Sequence, residues 1–91
     1  MVVILGREAL KYLERLSKPD IKRIALALRK LSQEPPEGDV SKMQGRHNEY
    51  RLRVGEWRIL FKIEVHISDN NTRQKSIVVY KIASRGQAYK E

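Results

Sequence analysis

The chain has 91 residues, the length of one small domain with one modest core. It has no cysteine, which excludes disulfides and thiolate metal sites and fits a reducing cytoplasm. Its 19 lysines and arginines against 11 acids give a formal charge of +8, so anionic partners are expected: a nucleic acid, an anionic membrane surface or an acidic protein.

Val2 to Leu5 is a short apolar run that reads as a first strand, and Gly6 breaks it. Gly6-Arg7-Glu8 ends that run too soon for a secretory leader, and no apolar stretch approaches the ~20 residues of a membrane span. A helix is predicted from Arg7 to Leu16. Ala9, Leu10, Leu13 and Leu16 fall at helical spacing, and Arg7, Glu8, Lys11, Glu14 and Arg15 form the outer face. Ser17-Lys18-Pro19-Asp20 is a restart signal. Ser17 or Lys18 can cap, Pro19 suits the first turn, and Asp20 favours the positive helix end. The second helix runs to Ser32 on a stripe of Ile21, Ile24, Leu28 and Leu31. The short connection predicts an antiparallel helical hairpin. Glu34-Pro35-Pro36-Glu37-Gly38-Asp39 then makes an acidic loop. Val40 to Asn48 shows no clear period; Met43 can anchor it to the core and Gly45 can turn it.

Tyr50 to Ile63 reads as a β-hairpin, with strands Glu49–Val54 and Trp57–Val65 joined at Gly55-Glu56, a favoured two-residue turn. That turn pairs Val54 with Trp57, Arg53 with Arg58 and Leu52 with Ile59. The apolar sets then share one side, and Arg51, Arg53 and Arg58 share the other. Ser68 to Lys75 is a polar loop. Ser76 to Ala83 is a last strand, whose continuous Ile77-Val78-Val79-Tyr80 suits a central position. Parity places Trp57 and Tyr80 with the core. Ser84 to Glu91 is a short tail. The order β-α-α-β-β-β predicts a single α+β domain over residues 1–91. Its antiparallel helical hairpin packs on one face of a mainly antiparallel four-stranded sheet.

The opposite face is expected to carry Arg51, Arg53 and Arg58, with Lys62 and Lys81. Like charges directly across a strand pair are destabilising, so Arg53 opposite Arg58 makes little sense for stability alone. Two readings stand side by side. The face is a solvated basic surface that discourages edge aggregation, or it is shaped for a polyanion.

Three segments carry a family resemblance: EALKYLERLSKPDIKRI in the helical hairpin, SKMQGRHNEYRLRVGEWRILFKIE through the β-hairpin, and VVYKIASRGQAYKE at the end. Together they resemble the RelE/ParE superfamily of toxins from toxin–antitoxin modules, over nearly the whole chain. The closing I-A-S-R-G-Q-A-Y is more similar to the RelE branch, the ribosome-dependent mRNA interferases, than to the gyrase-poisoning ParE branch. The resemblance implies a metal-independent endoribonuclease that cuts translated mRNA in the ribosomal A site. Carried over by position, its site falls on Arg51, Arg53, Arg58, Arg85 and Tyr89. The reference pattern often has lysines at Arg51 and Arg53, and arginine, unlike lysine, effectively never gives up its proton.

Such cleavage proceeds by attack of the ribose 2′-hydroxyl on the adjacent phosphate. It needs a base, positive charge for the phosphorane and an acid for the leaving 5′-oxygen. Arg58 and Arg85, both expected to be exposed, are candidates for holding the scissile phosphate. Arg51 and Arg53 would position the backbone, and Tyr89 would stack on a base or polarise the hydroxyl. His47, Glu49 and Glu37 are candidate bases, and the ribosome is a further source of the missing group. His47 and His66 have no carboxylates at ligand spacing, so neither a metal nor a small-molecule cofactor is expected. The expected partners are mRNA, rRNA and a cognate antitoxin with an acidic segment; a membrane is not among them. The alternatives are a ParE-like, non-nuclease inhibitor of DNA gyrase and a plain nucleic-acid-binding module.

Overall fold

The computed structural model describes residues 1–84. Its strands are β1 (Val2–Leu5), β2 (Asp39–Lys42), β3 (Glu49–Val54), β4 (Trp57–Ile67) and β5 (Arg73–Ser84). Its helices are α1 (Arg7–Glu14) and α2 (Lys18–Leu31). The sheet order is β1-β5-β4-β3-β2. β1 runs parallel to β5, and the other neighbours are antiparallel. The α+β class follows the sequence reading. No helix among the described residues is long and apolar enough to cross a membrane.

The sheet has five strands where four were expected. The addition is β2, which pairs Asp39 with Arg53 and Val40 with Leu52 at the edge beside β3. Its sequence DVSK holds one apolar residue and is mostly exposed, so alternation carries no signal there. Backbone pairing to β3 defines the strand instead. The loop expected over Ser68–Lys75 is also shorter. β4 extends to Ile67 and β5 begins at Arg73, with Val65, His66 and Ile67 paired to Lys75, Gln74 and Arg73. Both strands are exposed over this stretch, so hydrogen bonding rather than burial sets their ends. Asn71, at φ 62, turns the chain, and Ser68 N–H donates to Thr72 O at 3.0 Å.

The β-hairpin has the expected register, with Val54, Arg53 and Leu52 opposite Trp57, Arg58 and Ile59. Gly55 takes φ +58 at the first central turn position, a conformation that costs glycine little. Ser17 is the cap of α2; its hydroxyl accepts from Asp20 N–H at 3.4 Å, and Pro19 lies in the first turn. α1 stops at Glu14, two residues short of the expected end. Arg15 and Leu16 bond back only three residues, to Tyr12 O and Leu13 O, tightening the chain before Ser17.

Both helices cover one face of the sheet. Ala9, Leu13, Ile24, Leu28 and Leu31 join Leu52, Trp57, Ile59, Phe61, Ile77 and Val79 in one core. Phe61 and Ile24 are among its largest fully buried side chains, and each such burial contributes about 1.5–3 kcal/mol. Trp57 is in the core as parity required, edge-on to Tyr12 with ring centres 6.2 Å apart. The Met1 ammonium donates to Ser32 O at 2.7 Å, tying the start of the chain to the end of α2.

Candidate nucleic-acid interface

The face of the sheet turned away from the helices is built by strand parity. Arg53 lies opposite Arg58, Arg51 opposite Leu60, and Glu49 opposite Lys62. Leu60 in turn lies opposite Lys81 of β5. Three predicted site residues, Arg51, Arg53 and Arg58, therefore share one face of two adjacent strands. Arg51 and Arg53 are two residues apart, about 7 Å along the strand. Arg85 and Tyr89 lie outside the described residues.

Their environments differ. Arg58 was expected to be exposed, but it is 5% exposed. Its Nη1 donates to Gly55 O at 3.0 Å and to Trp57 O at 2.9 Å, so the guanidinium folds back over the hairpin turn. The turn leaves Gly55 O without a ladder partner, and an arginine two residues past the turn can reach it. Leu60 and Ala83 are buried on the same face, so its centre is less open than the alternation suggested. Arg53 is half exposed and held by Asp39, with both Nε and Nη2 at 2.7 Å from Oδ2. Asp39 is the cross-strand neighbour supplied by β2, a strand that alternation does not reveal. Arg51 is partly buried beside Ser41 and Leu60.

A second group on this face escaped the sequence reading. Register shifts between Leu60 and Phe61, so Leu60 pairs with Lys81 while Phe61 pairs with Val79. Tyr80 is the extra residue of this β-bulge, and alternation from the buried Ile77 and Val79 places it on the face away from the helices. Its hydroxyl donates to Glu49 Oε1 at 2.8 Å and lies 3.6 Å from Met43 Sδ. Lys62 Nζ sits 5.6 Å from the centre of its ring, within cation–π range. Arg46 Nη1 approaches the same Glu49 oxygen at 3.2 Å. Tyr80 was assigned to the core with Ile and Val, but it alternates with the buried Val79 and so faces the other side, and the bulge then returns Ile82 rather than Lys81 to the core. Alternation counted from Ile77 and Val79 puts Tyr80 on the opposite face, and that was the available signal.

Glu49 was a candidate base. The Tyr80 hydrogen bond, followed by Arg46 and Lys62, holds its carboxyl below the ordinary 4.5 against the opposing effect of burial. The carboxylate is therefore ionised at neutral pH, with one oxygen already taking two donors. It anchors Tyr80 and Arg46 and is a weakened base. His47 is exposed in the loop before β3. Glu37 is exposed at the end of α2, where its N–H donates to Lys30 O at 3.0 Å. Among the described residues no three of His, Asp or Glu come together as a metal site. The arrangement offers fixed positive charge and hydrogen-bond donors, suited to a phosphate chain, with no well-poised base in the group.

The family model described as the ParE toxin of the type II toxin–antitoxin system parDE matches residues 3–89. No curated protein matches the chain. Among solved structures, the archaeal RelE–RelB complex of Pyrococcus horikoshii shares 25% identity at a TM-score of 0.68, covering 94% of this chain and 96% of that one. The RelB–RelE antitoxin–toxin complex of Methanococcus jannaschii shares 23% at 0.67, covering 96% and 95%. The isolated RelE toxin of E. coli shares 14% at 0.66, covering 98% and 95%.

Proposed function

The chain belongs to the ParE toxin family of type II toxin–antitoxin systems, and from that premise we propose that it is a ribosome-dependent endoribonuclease acting on translated mRNA in the cytoplasm. The observation that carries the reading is the pairing of Arg53 with Arg58 beside Arg51 on the sheet face opposite the helices. Such a face suits a sugar-phosphate chain, whose charge offsets the repulsion between the arginines. The solved RelE–RelB complex of Pyrococcus horikoshii, at 25% identity, has the same fold.

In this reading Arg51 and Arg53 hold the phosphates flanking the scissile bond and neutralise the developing phosphorane. Arg58 fixes the turn through Gly55 O and Trp57 O and adds charge beneath the face. Arg85 is assigned to the scissile phosphate and Tyr89 to the base or the 2′-hydroxyl. The 2′-oxygen attacks phosphorus and the bond to the 5′-oxygen breaks, leaving a 2′,3′-cyclic phosphate and a 5′-hydroxyl. One proton leaves the attacking hydroxyl and another is given to the leaving oxygen. Glu49 is already held by two donors, so the base is assigned to the ribosome. No metal takes part. The partner that restrains the protein is a cognate antitoxin with an acidic segment, matched to the +8 charge. Two of the similar structures are antitoxin–toxin complexes.

One observation favours a second reading, inhibition of DNA gyrase without RNA cleavage: the matching family model is that of ParE. The deciding experiment induces the protein and maps new mRNA 5′ ends. New ends inside translated regions, lost in the Arg51→Ala/Arg53→Ala variant, are expected. Growth arrest with intact mRNA and loss of gyrase supercoiling in vitro would establish the second reading.

A further inference from the structure

The sheet face that carries Arg51 and Arg53 holds one aromatic side chain among the described residues, Tyr80. Tyr12 and Tyr50 pack against the core on the other side, Tyr12 edge-on to Trp57 and Tyr50 stacked on Phe61. Tyr80 is half-buried, and its hydroxyl is anchored at Glu49 Oε1 and beside Met43 Sδ. The side chain starts on β5 and ends at β3, so it crosses β4, and its direction is set before any ligand arrives. Glu49 is two residues from Arg51, about 7 Å along β3. The ring therefore lies next to the row of arginines, with Lys62 of β4 and Lys81 of β5 beside it.

Cations grip a phosphate chain without regard to its bases, whereas a base stacked on an aromatic ring adds affinity that depends on the base. An aromatic side chain set among cations on an open sheet is an arrangement by which sheets hold single-stranded RNA. Lys62 Nζ lies 5.6 Å from the ring centre, and Lys62 is exposed. A solvated ammonium at that range is a weaker partner for the ring than a stacked base, so a base displaces it. The displaced Lys62 stays within reach of the phosphate that the arriving nucleotide brings.

We infer that Tyr80 is a stacking platform for one nucleobase of single-stranded RNA, adjoining the nucleotides whose phosphates meet Arg51 and Arg53. A purine is favoured there, because its larger ring system covers more of the tyrosine. Tyr80 takes no part in bond making; it sets which base occupies that position and the register of the strand on the arginines. The inference rests on the RNA reading of this face.

The test titrates the full chain with three short RNA oligomers of equal length: oligoadenylate, oligouridylate and an abasic ribose-phosphate chain. The parent chain is expected to bind oligoadenylate about tenfold or more tighter than the abasic oligomer, with oligouridylate between them. Tyr80→Leu, its fold verified by circular dichroism, should lose about tenfold on oligoadenylate and almost nothing on the abasic oligomer. The slope of log K against log salt should not change, because no phosphate contact is removed. Tyr80→Phe keeps the ring and should bind oligoadenylate within about threefold of the parent chain. Equal loss on both oligomers in Tyr80→Leu would make the residue a structural brace and overturn the platform. So would a Tyr80→Phe variant as weak as Tyr80→Leu, which would put the effect in the hydroxyl. A parent chain that binds the abasic oligomer as well as oligoadenylate overturns the platform whether or not Tyr80→Leu folds, and leaves the phosphate grip of the arginines standing. A parent chain that binds none of the three removes both.

Discussion

Tyr80 of β5 reaches over β4 to donate its phenolic hydrogen to Glu49 of β3, 2.8 Å away. The bond spans three strands, and Lys62 of the middle strand lies near the tyrosine ring. Tyr80 faces away from the core because it alternates with the buried Val79, and the bulge opposite Leu60 and Phe61 keeps the following Lys81 on the same side.

This bond has a pH signature. Glu49 titrates below 4.5 in the folded protein, chiefly because of Tyr80 and then Arg46. A carboxyl whose folded pKa is depressed adds stability that is present above its unfolded pKa and lost as pH falls through the folded one. Glu49→Gln is therefore expected to lower the urea midpoint at pH 7, with the two proteins converging as pH drops below 4.5. Tyr80→Phe should move the Glu49 carboxyl resonance to titrate at higher pH. An unchanged titration in Tyr80→Phe would show that the hydrogen bond does not control this carboxylate.

Arg58→Ala should unfold more easily, not merely lose activity. The side chain is 5% exposed and donates to Gly55 O in the turn and to Trp57 O at the start of β4. Removing charge-assisted bonds of this kind costs roughly 2 kcal/mol, readable in urea denaturation at pH 7. Activity of Arg58→Ala must then be compared at matched folded fraction before the residue is given a part in the chemistry. A midpoint equal to that of the parent chain would mean the turn holds itself.

Much of the fold was legible because burial and period agreed. The Leu13, Ile24, Leu28 and Leu31 stripes gave both helices, and Gly55 gave the hairpin register. What escaped has physical reasons. β2 is held by backbone pairing with almost no apolar content, so Asp39 beside Arg53 could not be foreseen. Tyr80 was misplaced because the continuous apolar run Ile77-Val78-Val79-Tyr80 does not reveal which face each residue takes. Arg58 was read as exposed because alternation says which side a residue faces, not whether its head group folds back onto the turn. Arg51, Arg53 and Arg58 do share a face as expected.

Gly6 tests how tightly the chain passes between β1 and α1. Its N–H donates to Val79 O at 2.8 Å, and a Cβ added there would lie 3.0 Å from that oxygen. Its backbone, at φ −65 and ψ 163, suits any residue, so the obstacle is contact, not conformation. Alanine would gain about 0.4–1 kcal/mol from a less flexible unfolded chain. Crowding against a backbone oxygen costs about 1–3 kcal/mol, and crowding wins. Gly6→Ala is expected to be less stable by about 1 kcal/mol in urea denaturation. A more stable variant would show that β5 yields.

Asp39 competes with RNA for Arg53. The pair is close, at 2.7 Å, but its side chains are 48% and 52% exposed, so solvent screens it. Pairs of this kind contribute less than about 1 kcal/mol. A phosphate meeting the same guanidinium gains a comparable bond plus counterion release, so bound RNA should displace Asp39. Asp39→Asn then removes the competitor. It is expected to change stability by less than about 1 kcal/mol and to tighten binding of a single-stranded RNA, most at low salt. Arg53→Ala should weaken binding and reduce the slope of log K against log salt by about 0.7, the value for one lost phosphate contact on a single strand. Arg51→Ala should reduce it by a similar amount. If Asp39→Asn binds no more tightly and Arg53→Ala leaves the slope unchanged, Arg53 serves to hold β2 on the sheet and has no part in gripping the messenger.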